Sequence, residues 1–120
     1  METKMEALTK EKEEAVQTAY NRCMMVCTDK FLISKLKTCL EFLKNNTPVS
    51  EARKRAFECH RYARALKEQK RIFLARACGH AIATIHVKEH LQACLYYLEK
   101  YERAMAGYER YGNRVSVTKI

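Results

Sequence analysis

The fold is decided by residues 50–111, which read SEARKRAFECHRYARALKEQKRIFLARACGHAIATIHVKEHLQACLYYLEKYERAMAGYERY. Apolar side chains return every three or four residues along almost the whole stretch, which places them on one side of an α-helix. The exceptions lie near the middle of the run and are Lys70, His80 and Thr84. The pattern therefore predicts helix throughout, with one apolar side that must be buried.

Gly79 is the residue near the middle of this stretch that weakens a helix. A single glycine costs a helix about 1 kcal/mol, so it need not end one. An unbroken helix over residues 50–111 would be about 90 Å long and would need a partner chain to cover its apolar side. If the chain instead folds back near Gly79, helices 50–78 and 80–111 join the first part of the chain in a bundle.

The segment Asn45–Ser50 separates this stretch from the first part of the chain. Pro48 cannot continue a helix, and the residue before a proline avoids helical backbone angles. Ser50 is a favourable N-cap, and Glu51 would then place a carboxylate in the first turn, where the helix dipole favours it. The sequence predicts a turn here and a helix that follows Ser50.

Helical spacing of apolar residues also runs through the first part of the chain. Thr28 or Asp29 is a candidate N-cap within it, which divides the segment into helices at about 3–28 and 30–45, although one continuous helix is the alternative. At the other end of the chain, glycine at position 112 is the expected C-cap, and residues 112–120 are expected to be extended.

Composition limits the fold to helices. The chain has 120 residues, of which 48% are hydrophobic and 31% charged, enough for one modest core in one domain. It has 3 glycines and 1 proline, whereas β-sandwiches, β-barrels and glycine-rich nucleotide-binding folds need many more turn residues. We expect a single all-α domain over residues 1–120, built as an antiparallel bundle of three or four helices.

The six cysteines lie within the periodic apolar segments, at Cys23, Cys27, Cys39, Cys59, Cys78 and Cys94. The first residues of the chain have neither the apolar run of a secretory signal nor the arginines of a transit peptide. We therefore expect reduced, buried thiols in an intracellular compartment, most simply the cytoplasm. No run of apolar residues is long enough for a transmembrane segment.

Positive charge is concentrated in one segment. The formal charge of the chain is +9, and residues 53–76 hold nine basic and two acidic residues, a local charge of +7. Arg64, Lys67 and Arg71 share one face of the predicted helix. Such a face can contact the phosphates of RNA or an anionic membrane surface, or can simply be solvated. The predicted polyanion-binding residues are Arg53, Lys54, Arg61, Arg64, Lys67, Lys70 and Arg71.

Two pairs of candidate metal ligands have helical spacing. Cys23 and Cys27, like His86 and His90, are four residues apart, so each pair shares a helix face. Facing pairs would make a Cys2His2 zinc site, whereas the alternative is core cysteines and half-exposed histidines. No nucleophile elbow, phosphate-binding loop or paired acid accompanies them, so we predict no catalytic residue, no enzyme activity and no cofactor.

Tyrosines concentrate toward the end of the helical stretch. Tyr101 and Tyr108 fall on the apolar stripe, and Tyr97 lies one turn before Tyr101. Tyrosine is amphipathic and favoured at interfaces, so these three residues are predicted to contact a protein partner or a second copy of the chain, the alternative being the rim of a bundle. The last residues, Thr118–Ile120, weakly match the C-terminal motif that PDZ domains bind.

Residues 65–71 read ALKEQKR, and they are followed by Gly79 and by threonine and isoleucine at positions 84 and 85. This part of the sequence resembles the second helix of the ESCRT-III core. The resemblance implies two long helices paired in a hairpin, with its turn at residues 45–50. It also implies basic faces that bind anionic membrane and assemble into filaments. It assigns no site residues.

Together these features predict a non-enzymatic adaptor or assembly subunit. Its basic face would contact a polyanion, most simply RNA in a larger particle, and its tyrosine-rich end would contact protein. The alternatives are a membrane-remodelling hairpin of the ESCRT-III kind, which binds anionic lipid, and a zinc-stabilised helical bundle.

Overall fold

The part of the chain that the structure describes consists of α-helices joined by short turns. The computed structural model describes residues 3–45 and 47–118. The helices are α1 (Lys4–Val26), α2 (Lys30–Leu43), α3 (Val49–Ala65), α4 (Gln69–Ala83) and α5 (His90–Thr118). The predicted all-α class is confirmed, with five helices in place of three or four. None of these helices combines the length and the apolar character that a membrane crossing requires.

The first two helices begin where side-chain oxygens cap them. The Thr3 hydroxyl accepts a hydrogen bond from the N–H of Glu6 at 3.0 Å. The Asp29 carboxylate accepts one from the N–H of Leu32 at 3.2 Å. Both are N-caps that satisfy a backbone donor of the first turn. The candidate cap at Asp29 is thereby confirmed, and so is the division of the first segment into two helices.

The turn at Pro48 is also confirmed. Asn45 takes the left-handed backbone angle that asparagine tolerates, with φ of 64°. Pro48 then precedes α3, and its carbonyl accepts the N–H of Ala52 at 3.2 Å. The expected cap, Ser50, is therefore the second residue of the helix, because α3 already begins at Val49.

Helix α4 is the centre of the molecule and packs against each of the other four helices. Its buried residues are mostly small and lie on more than one side of it: Leu74, Ala75, Ala77, Cys78, Gly79, Ala81, Ile82 and Ala83. Small side chains let neighbouring helices approach closely, and a helix that is apolar on several sides belongs in a core. The larger buried side chains around it include Leu32, Leu36, Ile85 and Leu98.

Neither alternative for Gly79 is correct: α4 continues through this residue, so no helix ends at 78, and the helix does not run unbroken over residues 50–111. Gly79 is buried against α3, where an added Cβ would lie 2.7 Å from Nε2 of His60. The chain turns instead after Ala65 and after Ala83, so the two helices predicted for this stretch become three. Residues 66–68 are leucine, lysine and glutamate, all good helix formers, so the sequence does not mark the first of these turns.

The last helix also differs from the prediction. It begins at His90 rather than at residue 80 and continues to Thr118, so the extended tail expected from residue 112 is wrong as far as residue 118. Lys119 and Ile120 lie outside the described residues. The long paired helices implied by the resemblance to ESCRT-III are absent from the described chain, whose α3 and α4 have 17 and 15 residues.

Candidate functional site

The predicted polyanion-binding residues are divided between two helices and a turn. Arg53, Lys54, Arg61 and Arg64 lie on α3, Lys67 lies in the turn after it, and Lys70 and Arg71 lie on α4. All are exposed except Lys70, which is half-buried. Because the chain turns after Ala65, Arg64, Lys67 and Arg71 do not line one helix face as the sequence predicted.

Two of these cations lie over an exposed phenyl ring, and two more lie one helical turn before it. The side chain of Phe57 is 52% exposed, and the guanidinium carbons of Arg61 and Arg64 lie 5.5 and 5.6 Å from its ring centroid. Arg53 and Lys54 precede Phe57 by one helical turn and so lie on the same side of α3. We call Phe57 and these four cations the Phe57 surface.

The acidic side chains near the Phe57 surface are paired with other cations. Glu58 lies 3.0 Å from the ammonium group of Lys35 on α2, and this hydrogen bond lowers the pKa of Glu58. Glu51 and Glu41 both bind Arg55, at 3.2 and 2.6 Å. Within the described part of the chain, no salt bridge joins a cation of the Phe57 surface to a carboxylate. Glu58 also interacts electrostatically with Lys54 and Arg61, but its salt bridge is with Lys35, so the Phe57 surface keeps a net positive charge that a partner can contact.

An apolar groove adjoins the Phe57 surface. The rings of Phe31 and Tyr62 stack there with their centroids 4.4 Å apart. The groove has a volume of about 310 Å³ and is lined by Phe31, Glu58, Arg61, Tyr62 and Ala65. Because Arg61 belongs to both features, the groove and the Phe57 surface form one continuous area on α2 and α3.

Arg71, by contrast, takes part in a contact that holds three helices together. Its guanidinium donates to the Tyr62 hydroxyl at 3.1 Å and lies 3.5 Å from the Asp29 carboxylate. The Tyr62 hydroxyl donates to the same carboxylate at 2.6 Å. Burial raises the pKa of Asp29, but the hydrogen bonds from Tyr62, Arg71 and backbone N–H groups outweigh it and lower the pKa. Part of the hydrogen-bonding capacity of Arg71 is thus used by Tyr62 and Asp29 of the same chain.

The four histidines of the chain form a cluster that sequence reasoning missed. His60 of α3 lies edge-on to His80 of α4, with ring centroids 4.8 Å apart, and His80 stacks on His90 of α5 at 5.2 Å. His86, in the turn before α5, lies 5.7 Å from His90, and Tyr97 stacks on His80 at 5.5 Å. Nδ1 of His86 is buried without a hydrogen-bond partner among the described residues.

The surroundings of His60, His80 and His90 favour the neutral form of these three rings. Arg76 can only donate, so Nδ1 of His60, at 2.9 Å, accepts and carries no proton. Nδ1 of His80 and Nδ1 of His90 are 3.0 Å apart, which leaves room for one proton between them. Burial, followed by repulsion from neighbouring histidines and arginines, lowers the pKa of His60 and of His80 to about 4. Burial lowers the pKa of His90 as well.

The predicted zinc ligands are not assembled into one site. The six cysteines are all buried, as expected, and Sγ of Cys23 lies 3.7 Å from Sγ of Cys94. Cys27 donates to the carbonyl of Asp29, whereas His86 and His90 belong to the histidine cluster. Over residues 3–45 and 47–118, no three His, Cys, Asp or Glu side chains of those described are placed to hold a metal ion.

The predicted tyrosine interface is mostly turned toward the core. Tyr97 and Tyr101 are half-buried and pack against the buried residues. Tyr96, by contrast, is 53% exposed, and the ammonium group of Lys100 lies 5.3 Å from its ring centroid. The side chain of Tyr108 lies outside the described part of the chain, as do the last residues of the PDZ-like ending. The tyrosine interface remains a prediction.

Comparison with known proteins identifies a family for this chain. Residues 24–116 match the model of a family described as "Imm-5 like putative immunity protein". Neither the curated proteins nor the solved structures contain a significant match. The matched segment includes α2, α3 and α4 in full, and with them the Phe57 surface and the histidine cluster. Because it covers well over half of the chain, the chain belongs to the Imm-5 like immunity protein family.

Proposed function

We propose that the chain is a non-enzymatic immunity protein, which protects a cell by binding a toxic protein and blocking it. The observation that carries the proposal is the family match over residues 24–116. Immunity, in the description of that family, implies a toxin as the partner. The adaptor predicted from the sequence becomes, in this proposal, a protein inhibitor.

Blocking by contact suits the exposed residues better than a chemical reaction does. Interfaces between proteins draw most of their binding energy from aromatic and arginine side chains, and α3 exposes both in Phe57, Arg61 and Arg64. Histidines, which are the side chains best suited to acid–base catalysis at neutral pH, are here half-buried against one another. Burial lowers the pKa of His60 and of His80 to about 4. These features support an inhibitor that acts one to one.

The test is a titration of toxin activity. The open reading frame next to that of this chain is expressed from an inducible promoter, and arrest of growth identifies its product as a toxin. We expect co-expression of the chain to restore growth. When the purified toxin is mixed with increasing amounts of the chain, we expect its activity to fall linearly and to reach zero at equal molar amounts.

Two results would contradict the proposal. A chain that neither restores growth nor binds the toxin is not its immunity protein. A loss of toxin activity at far less than equal molar amounts, growing with time, would show that the chain modifies the toxin enzymatically.

Further titrations test the RNA-binding and membrane-binding functions that the sequence predicted. The chain is titrated with a short oligouridylate and with phosphatidylserine vesicles at several salt concentrations. RNA binding that weakens steeply with salt, without protection from the toxin, would favour an RNA-binding subunit. Strong binding to the vesicles, again without protection, would favour a membrane-bound protein.

A further inference from the structure

The Phe57 surface has the composition of an interface centre. Aromatic and arginine side chains near the middle of an interface usually supply most of its binding energy, and the contacts around them exclude water. Here a phenyl ring that is 52% exposed lies beside Arg61 and Arg64, with Arg53 and Lys54 one turn away on the same side of α3. Both kinds of side chain that dominate such centres are present within two helical turns.

The charge of this surface defines the chemistry of its partner. Glu58, the acidic residue next to Phe57 in the sequence, is held by Lys35 at 3.0 Å. Glu58 also interacts electrostatically with Lys54 and Arg61, but among the described residues no salt bridge joins the four cations to a carboxylate, so the surface keeps a net positive charge. When binding removes water from them, carboxylates on the partner must take its place, since a buried charge without a partner is costly.

The adjoining groove offers the partner an apolar contact area. It is walled by the stacked rings of Phe31 and Tyr62 and shares Arg61 with the Phe57 surface. Its volume of about 310 Å³ is at the small end of pockets that hold a ligand, and it suits one or two apolar side chains of a protein. Charge and apolar area therefore lie side by side on one exposed face.

We infer that the Phe57 surface is the docking site for the toxin, which presents to it an apolar pocket edged by aspartate and glutamate side chains. This inference rests on the proposed function and names the surface that carries it out. A protein fits better than a nucleic acid, because the guanidinium groups of Arg61 and Arg64 already lie over the ring on which a base would stack.

The test uses two variants with matched controls. Phe57→Ala removes the ring, and its control is Tyr96→Ala, which removes a ring of nearly equal exposure, 53% against 52%, from α5. The double variant Arg61→Glu with Arg64→Glu reverses two charges of the Phe57 surface. Its control, Lys37→Glu with Lys100→Glu, reverses two exposed charges on α2 and α5. The dissociation constant for the toxin identified above is measured for all four.

We expect Phe57→Ala to weaken binding by at least about tenfold and the double arginine reversal by at least about a hundredfold, as for central interface residues. Both controls should bind within about twofold of the unmodified chain, since their residues lie outside the Phe57 surface. Because all the replaced side chains are exposed, circular dichroism and thermal unfolding should be unchanged in the four variants. Phe57→Leu should recover part of the lost affinity.

Four results would differ from that expectation. If the unmodified chain protects and both Phe57 surface variants still bind, the toxin docks elsewhere and the inference is wrong. If the Tyr96 control loses binding instead, the tyrosine-rich end is the interface and the inference is wrong. If the variants lose only binding to oligouridylate or to phosphatidylserine vesicles, the surface serves those ligands. Failure of the unmodified chain to protect contradicts the proposed function itself.

Discussion

Gly79 is the residue on which the packing of α3 against α4 depends most directly. Alanine at this position would place its Cβ 2.7 Å from Nε2 and 2.9 Å from Cε1 of His60. The ring cannot simply move away, since Arg76 bonds its Nδ1 and His80 lies against it. We expect Gly79→Ala to lower the free energy of unfolding by roughly 1–3 kcal/mol, measured by urea denaturation, although alanine favours a helix.

Gly107 provides the matched control for this prediction. It also lies within a helix, but an added Cβ there would meet nothing within 4 Å. Gly107→Ala should therefore raise the free energy of unfolding by about 0.5–1 kcal/mol, because glycine loses more backbone freedom than alanine when a helix forms. If Gly79→Ala proved as stable as Gly107→Ala, the close approach of His60 would be wrong.

At the scale of the elements, the turn between α3 and α4 is the feature that gives the bundle its shape. Leu66 and Glu68 both have extended backbone angles, with ψ of 153° and 122°, and Gln69 is the first residue of α4. Proline is favoured at the first position of a helix and accepts an extended residue before it. We expect Gln69→Pro to leave the free energy of unfolding unchanged or to raise it by up to about 1 kcal/mol.

The control for this proline is Lys37→Pro, within α2 and exposed. Proline inside a helix removes a hydrogen bond and clashes with the preceding turn, so this variant should lose about 3 kcal/mol or more. Both are compared by thermal unfolding. A loss of similar size for Gln69→Pro would mean that a continuous helix crosses residues 66–69.

The elements differ in how far the sequence could predict them. The starts of α2 and α3 follow from Asp29 and Pro48, whose side chains cap a helix or exclude one. The end of α3 leaves no such mark, because residues 66–68 favour helices. Tertiary packing ends α3, because α4 is buried on several sides and α3 folds back to cover one of them.

At the scale of the whole molecule, the histidine cluster joins three helices and makes their packing sensitive to acid. The pKa of His60 and of His80 is about 4 in the folded chain, against an ordinary 6.5. The unfolded chain therefore takes up protons first as the pH falls. The stability from these rings is complete above about pH 6.5 and is lost toward pH 4. We expect the free energy of unfolding to fall by about 2–4 kcal/mol across that window.

The measurement is urea denaturation at several values of pH between 7 and 5, where the carboxylates stay largely ionised. His80→Asn removes one of the three rings whose pKa is lowered by folding, so the slope of the unfolding free energy against pH should fall by at least about a third. The slope, rather than the stability itself, is compared, since the variant also loses the contact with Tyr97. An equal slope for the two chains would contradict the prediction.

The candidate site shows what sequence reasoning could and could not find. Clustering of like charges is visible without a fold, and it indicated Arg53, Lys54, Arg61 and Arg64 together with three cations outside the Phe57 surface, Lys67, Lys70 and Arg71. The exposure of Phe57 could not be predicted, since an aromatic residue between basic ones can equally point inward. The histidine cluster could not be predicted, because the unmarked turn after α3 is what helps bring His60 and His80 together.

The burial of all six cysteines has a practical consequence for following complex formation in solution. A maleimide reagent reacts with a thiol only when the thiol is exposed to water. The six native thiols should therefore react slowly in the folded chain. A seventh cysteine, introduced on the solvent side of α3, would then be labelled selectively. A fluorophore attached there would report the arrival of a partner without any of the native thiols having to be removed.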